Sequence, residues 1–345
     1  VRDPILAGEL NGEKVLLAHG SGGKPSAELF QQVFLPQFNN PLLAEAHDGA
    51  VFEIGGQRFA FSTDSYVVKP HIFPGGNIGD LAVNGTVNDI AMCGARPLYL
   101  STGFILEEGF DMAELKLIVH SMQLAAVKAG VLMVTGDTKV VEKGSADGIF
   151  INTAGIGQLT GNTCISPKNA RAGDVIIING QIADHGIAVL SKREGLEFQS
   201  DIVSDTASLN HLVEAILRVA PNVHVLRDPT RGGVAATLNE IADAADVGIE
   251  IEEEQIPINE QVAAVSDMLG IDPLYIANEG KVIVFAPSHQ AEQVLAAMRT
   301  YPEGEKASII GVVTADHRKR VVLQTRIGTR RVVDMPSGDQ LPRIC

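Results

Sequence analysis

The stretch Phe59-Ala60-Phe61-Ser62-Thr63-Asp64, broken at Pro74-Gly75-Gly76 and resumed as the run Asn77–Cys93, decides how this chain folds. An apolar strand closes on small polar residues and an acid, a Pro-Gly-Gly turn breaks the chain, and a helical pattern follows until Gly94 stops it. The same alternation extends outward. Pro97–Leu106 predicts a strand. Asp111, three residues before Glu114, caps a helix whose apolar positions Leu115, Ile118, Val119, Met122 and Ala126 keep helical spacing until Gly130. Val131–Thr135 predicts a short strand running into Gly136-Asp137-Thr138-Lys139, and Gly148–Gly157 predicts another. Farther on, strands at Asp174–Asn179, Val223–Leu226 and Lys281–Ala286 alternate with helices, one opened by Asp184-His185-Gly186 and one by Asp228-Pro229-Thr230-Arg231-Gly232-Gly233. A helix over Ser288–Arg299 and strands near 308–313, 321–325 and 331–334 close the pattern. The class is therefore mixed α/β or α+β, in two units. Residues 15–165 form the expected N-terminal domain and 166–334 the C-terminal domain. Residues 335–345, with two prolines and a glycine, read as a flexible tail.

Composition agrees and excludes several functions. At roughly 100–200 residues per domain, 345 residues suit two domains, and 45% apolar residues can build their cores. No apolar run approaches the roughly 18 residues of a membrane helix, so no membrane association is expected. The start Val1-Arg2-Asp3-Pro4-Ile5 lacks the basic and apolar regions of a secretion signal. Lys and Arg number 27 against 42 Asp and Glu, a formal charge of -15, which repels a polyanion and argues against nucleic acid as partner. Arg318-Lys319-Arg320 and Arg330-Arg331 read as solvated strand edges. Cys93, Cys164 and Cys345 make no disulfide framework, and a reducing cytoplasm is the expected location.

The chemistry is carried by acids near strand ends and helices. Gly23-Lys24-Pro25 breaks a Walker loop, and Gly155-Ile156-Gly157 before Gly161 has the wrong spacing for a dinucleotide fingerprint. Asp64 and Asp137 each follow a predicted strand, Asp89 lies late in the helix beside Asn88, and Asp228 precedes a glycine-rich helix start. Hard oxygen ligands of this kind suit Mg²⁺, which completes its shell with water and phosphate. Glycines let backbone N–H groups approach phosphate, and His19-Gly20-Ser21-Gly22-Gly23-Lys24 could serve as a flexible phosphate cover. Each acid alone is as well explained by a cap or a turn; together they favour a metal–nucleotide site. Cys345 stands apart. It is either an inert thiol on a loose tail or a carrier that visits a partner's active site and returns to its own. The nearby α-carboxylate disfavours its thiolate, and Arg343 favours it.

The segments His19-Gly20-Ser21-Gly22-Gly23, Phe61-Ser62-Thr63-Asp64-Ser65-Tyr66, Pro74-Gly75-Gly76-Asn77-Ile78-Gly79, Val134-Thr135-Gly136-Asp137-Thr138-Lys139-Val140-Val141, Phe150-Ile151-Asn152-Thr153-Ala154-Gly155, Arg231-Gly232-Gly233, Asn278-Glu279-Gly280-Lys281 and Pro342-Arg343-Ile344-Cys345 resemble the HypE family of nickel–iron hydrogenase maturation proteins. That family sits in the superfamily of aminoimidazole-ribonucleotide synthetase and selenophosphate synthetase. The likeness covers the chain from about Val15 onward, and Lys24-Pro25 departs from the family pattern. It implies a two-domain aminoimidazole-ribonucleotide-synthetase-like fold, in which the N-terminal domain binds ATP and pairs its sheet across a homodimer. It implies an ATP-dependent dehydratase acting on its own C-terminal cysteine. A partner carbamoyltransferase maturation protein loads a carbamoyl group on Cys345, dehydration leaves a thiocyanate, and an iron-bearing hydrogenase maturation complex accepts the cyanide. By the same resemblance Asp64, Asp89 and Asp228 hold Mg²⁺, and Asp137, Thr138, Asn77, Gly22 and Gly23 contribute to the ATP site. Lys139 and Glu279 flank the modified cysteine, Lys139 stabilising phosphoryl charge and Glu279 taking the nitrogen proton. Two alternatives stand beside this reading: a selenophosphate-synthetase-like enzyme, and a non-catalytic carrier of a thiol-bound group.

Overall fold

The computed structural model describes residues 14–159, 161, 163–195 and 201–338; Cys345 and the rest of 339–345 lie outside the described residues. Helices α1 (Lys24–Leu29) and α2 (Leu35–Phe38) lead to a first unit built from β1 (Ala50–Ile54), β2 (Gln57–Tyr66), the ribbon β3 (Ile72–Phe73) and β4 (Gly76–Asn77), α3 (Ile78–Met92), β5 (Ala95–Glu107), α4 (Met112–Ala129), β6 (Leu132–Val141) and β7 (Ile149–Leu159). Its five-stranded sheet runs β1-β2-β7-β5-β6. β5 and β6 are parallel, joined by α4, and the other neighbours are antiparallel. α3 starts where the Asn77 side chain accepts from Gly79 N at 2.8 Å, and it ends at Gly94 with φ +76°. Ile78, Leu81, Val83, Val87 and Ile90 face different sides of this helix, and all are buried, because the sheet covers one flank while α4 and the second unit cover the others.

The second unit contains β8 (Asp174–Ile178), α5 (Asp184–Arg193), α6 (Asn210–Val219), β9 (Val225–Arg227), α7 (Gly233–Ala245), β10 (Gly248–Glu252), α8 (Glu260–Leu269), β11 (Ile283–Pro287), α9 (Ala291–Met298), β12 (Ser308–Thr314), β13 (Arg320–Gln324) and β14 (Arg330–Val333). Its seven strands run β14-β13-β10-β12-β8-β11-β9. Helices cover both faces, so β8 is apolar from Val175 to Ile178: Ile176 and Ile178 join one core and Ile177 the opposite one.

A loop at 201–209 locks the units together. Ser204 N donates to Pro74 O at 2.7 Å. Asn88, fully buried on α3, donates to Ala207 O at 3.0 Å and to Glu279 O at 3.2 Å, and accepts from Leu209 N at 2.8 Å.

Three expectations change. The strand expected over Val131–Thr135 continues as β6 to Val141, so Asp137 lies inside a strand, paired with Gly103 of β5 beyond a register shift at Leu100/Ser101. Asp64 likewise lies within β2. The expected tail begins anchored: Pro336 is buried, and its carbonyl accepts from Lys24 N at 2.8 Å. The basic residues near the end are surface partners of acids, with Arg318 pairing Asp246 and Arg331 pairing Asp272.

Candidate active site

Five acids from five separate segments converge between the two units. Asp64 comes from β2, Asp89 from the last turn of α3, Asp228 from the loop after β9, Glu279 from the loop before β11, and Asp48 from the turn before β1. The Ser62 hydroxyl lies 2.6 Å from an Asp89 carboxyl oxygen and 2.9 Å from the Asp48 carbonyl, stitching the β2 side together. Arg227 lies 2.7 Å from Asp48 and 2.7 Å from Glu240, so its charge is committed at the rim. Burial, with Asp48 next in weight, pushes the Asp228 carboxyl up to about 8. Burial and the neighbouring Asp228, Asp64 and Asp48 hold Asp89 well above the usual carboxylate range. Burial also raises Asp64, against the pull of Arg231. The protein's own cations do not balance these acids.

Glu279 is 3% exposed, and among the described residues its Oε1 has no hydrogen-bond partner. The ion pair with Lys281 that its sequence suggests does not form: Lys281 lies 2.8 Å from Asp205 instead. Burial first, then Asp205, Asp64 and Asp228, lift the Glu279 carboxyl well above its ordinary value. Tyr66 adds a buried hydroxyl beside Asp64 and Thr86, lying against Gly85, where any larger residue would strike it.

The glycine loop closes one side. Gly22 and Gly23 have φ of +78° and +80°. A Cβ at Gly22 would come within 2.9 Å of the Arg231 carbonyl, and one at Gly23 within 2.5 Å of the Pro336 carbonyl. Arg231 donates to Gly20 O at 3.1 Å. The segment is thus docked on the Arg231-Gly232-Gly233 turn and on the first residues of the tail, a closer fit than a free cover.

Other expected residues stand elsewhere. Asn77 caps α3 and donates to Ser121 at 2.7 Å, about 18 Å along the helix from Asp89. Asp137 and Lys139 are exposed on β6 and pair with each other at 2.6 Å. The pairings Ser65↔Asn152, Gly103↔Asn152 and Gly103↔Asp137 put Asp137 three strands from Ser65, about 14 Å away. They also put Asp137 and Lys139 on the sheet face opposite Asp64, whose neighbour Thr153 points at α3. Thr138 is an exposed residue of the same strand. Asp48 was missed by sequence reasoning, although Asp48-Gly49 ahead of a strand resembles the signals at the other acids. Cys93 is a buried thiol at the end of α3, raised by burial and by Asp48 and Asp89, in no position for a nucleophile on a mobile loop.

Among the described residues, no three Asp, Glu, His or Cys side chains converge closely enough to chelate a metal by themselves. The acids do fit a hard cation that keeps water and phosphate oxygens in its shell, because burial and neighbouring acids outweigh the pull of Arg227 on Asp228 and hold Asp89 high as well.

Residues 46–159 match AIR synthase related protein, N-terminal domain, and residues 171–324 match AIR synthase related protein, C-terminal domain. The carbamoyl dehydratase HypE of Azotobacter vinelandii is 50% identical over 98% of this chain and 99% of its own length. The chain belongs to the HypE family. A crystal structure of hydrogenase maturation protein HypE in complex with ATP is 49% identical, covers 96% of this chain and 100% of that one, and superposes with a TM-score of 0.82. A crystal structure of a HypE–HypF complex gives 0.85 at 49% identity, covering 89% of this chain and 99% of that one. Both family domains lie on either side of the acid cluster, so the cluster occupies the seam of the fold.

Proposed function

We propose that the acid cluster is where this chain, an ATP-dependent carbamoyl dehydratase of hydrogenase maturation, works on a carbamoyl group carried by its own Cys345. In the balanced reaction the carbamoyl oxygen bonds to the γ-phosphorus of ATP as the bond to ADP breaks. Two protons then leave nitrogen, the C–O bond breaks, phosphate departs and a thiocyanate remains on sulfur. Glu279 accepts one nitrogen proton and the departing phosphate carries the other. The unpartnered Oε1 of this buried carboxyl, whose proton affinity is raised, carries the assignment. Asp64, Asp89 and Asp228, joined by Asp48, would hold Mg²⁺ together with water and phosphate oxygens, and the ion would neutralise phosphate charge when bound. The Gly22 N–H donates to Ser26 Oγ at 3.0 Å, so a role for Gly22 and Gly23 toward ATP rests on family resemblance, and the buried position of Glu279 keeps water from the dehydrating centre. Roles for Asn77, Asp137 and Thr138 toward ATP rest on family resemblance alone.

Lys139 acts on the same centre only if a second copy brings it there. Two features support a homodimer. Among the described residues β6 is an unpaired edge with exposed Leu132, Val134 and Val140, and the open face of its sheet carries exposed Phe61, Tyr99 and Ile105. Pairing those faces would put Lys139 inside the shared barrel. The carbamoyl donor is a carbamoyltransferase maturation protein, as the HypE–HypF complex of the relative suggests, and the cyanide acceptor is an iron-bearing maturation complex in the cytoplasm. Among the described residues, no helix is long and apolar enough to cross a membrane.

Incubating S-carbamoylated protein with Mg-ATP tests the reading. ADP release together with loss of one water at Cys345 by mass spectrometry is expected. Unchanged mass without ADP refutes the dehydratase assignment, and an adduct found at another residue refutes Cys345 as carrier.

A further inference from the structure

We propose that Asp205 is a positioning residue for Glu279: it captures Lys281 and so keeps the Glu279 carboxyl unpaired for proton abstraction. The inference deepens the reading of Glu279 as base and rests on it.

Glu279 and Lys281 are separated by one glycine, and a lysine so close to a buried glutamate is its obvious partner. Asp205 intervenes from the loop that locks the two units. One of its carboxylate oxygens accepts from Glu279 N at 3.1 Å, and the other lies 2.8 Å from Lys281 Nζ. Their side chains are 6% and 9% exposed for Asp205 and Lys281, so the pair is sealed from water. Lys281 is held further by the Gly280 carbonyl at 3.4 Å. Gly280 itself lies so tightly against the Asp205 carbonyl that an added side chain could not fit. The backbone of Glu279 is fixed from the other side by Asn88. A single carboxylate therefore anchors residue 279 and removes the ammonium at 281 from competition.

Stability alone explains such a pair poorly. Buried ion pairs are often neutral or worse against apolar replacements, whereas breaking one is costly. A pair retained here, next to an orphaned carboxyl, is better explained by what it keeps Lys281 from doing. The other titratable groups facing the pair are Asp184 and His185, with Asp184, itself near Lys306, the remaining acid that could receive Lys281.

The test uses the full S-carbamoylated chain with Mg-ATP. Asp205→Asn keeps an acceptor for Glu279 N and removes only the charge. Lys281 should then turn to Glu279, and turnover should fall about 100-fold, the scale of a lost general base, while KM for ATP stays unchanged. Asp205→Asn combined with Lys281→Met removes both charges and should restore turnover to within about tenfold of the starting protein, since a charge-free pair costs little. Wild-type turnover in Asp205→Asn overturns the proposal. So does a double variant that is folded yet as slow as the single one, because Asp205 would then serve only the fold. Should Asp205→Asn not fold, the double variant decides alone: folded and active supports capture, folded and inactive overturns it. Glu279→Gln separates the two layers. If it turns over normally, the base assignment itself fails; if it is slow while Asp205→Asn is normal, only the role of Asp205 fails.

Discussion

Replacing Asn88 by Ala should loosen the junction between the two units more than any single exposed change. The side chain makes three bonds at 2.8, 3.0 and 3.2 Å to groups on two different segments, and it is fully buried. Alanine keeps the helix, for which it is the better former, so helix propensity works against the loss by a few tenths of a kcal/mol. What remains is a buried Leu209 N–H without an acceptor and two carbonyls each missing one donor. At about 1–3 kcal/mol for an orphaned buried group, and less for carbonyls with a second lone pair, the total is about 3 kcal/mol. For a protein of this size that is a fall of roughly 4 °C in melting temperature. Scanning calorimetry of the nucleotide-free protein measures it. Asn84→Ala is the control, because Asn84 makes one 3.3 Å bond to Thr206 and should cost about 1 kcal/mol or less. Equal shifts for the two variants, or an Asn88→Ala shift below about 2 °C, would refute the argument that this residue carries the junction.

Gly23→Ala places a methyl group 2.5 Å from the Pro336 carbonyl at a φ of +80°, so it should destabilise by about 1–2 kcal/mol and slow dehydration of loaded protein. A variant with unaltered single-turnover rate would detach the glycine loop from the tail's function. Asp228→Asn relieves like-charge crowding, so the nucleotide-free protein should gain about 0.5–2 kcal/mol while losing Mg-ATP affinity by titration calorimetry. A drop in both would mean that Asp228 is structural. Asp184 titrates at about 6 in the fold against 3.8 unfolded, because burial and Asp205 disfavour its charge. The folded state thus binds this proton more tightly, and stability drains away as pH rises from about 4 to 6. In Asp184→Asn that slope should shrink by about 1 kcal/mol, after discounting for partial exposure and nearby lysines. Urea titrations at both ends of the range that show identical slopes would contradict it.

Local grammar was legible in the chain. Asn77 before Ile78, Asp111 before Met112, and Gly94 and Gly130 after their helices set boundaries because caps and breakers act on adjacent backbone groups. The apolar run at Asp174–Asn179 likewise shows a strand buried on both faces. Residue identity supplied Asp64, Asp89, Asp228 and Glu279, which the fold brings together. It could not separate Asp64 from Asp137, since both follow an apolar run. Strand register decides that: with a side-chain period of two, one acid faces α3 and the other the open face of the sheet. Nor could sequence show that Lys281 belongs to Asp205 rather than Glu279, or that Asp48 completes the cluster. Those facts depend on chain segments far apart in sequence meeting at a seam, where burial turns ordinary carboxyls into strained ones. Caps and periodicity are fixed by near neighbours; charge pairing inside a protein is fixed by whichever group packing delivers.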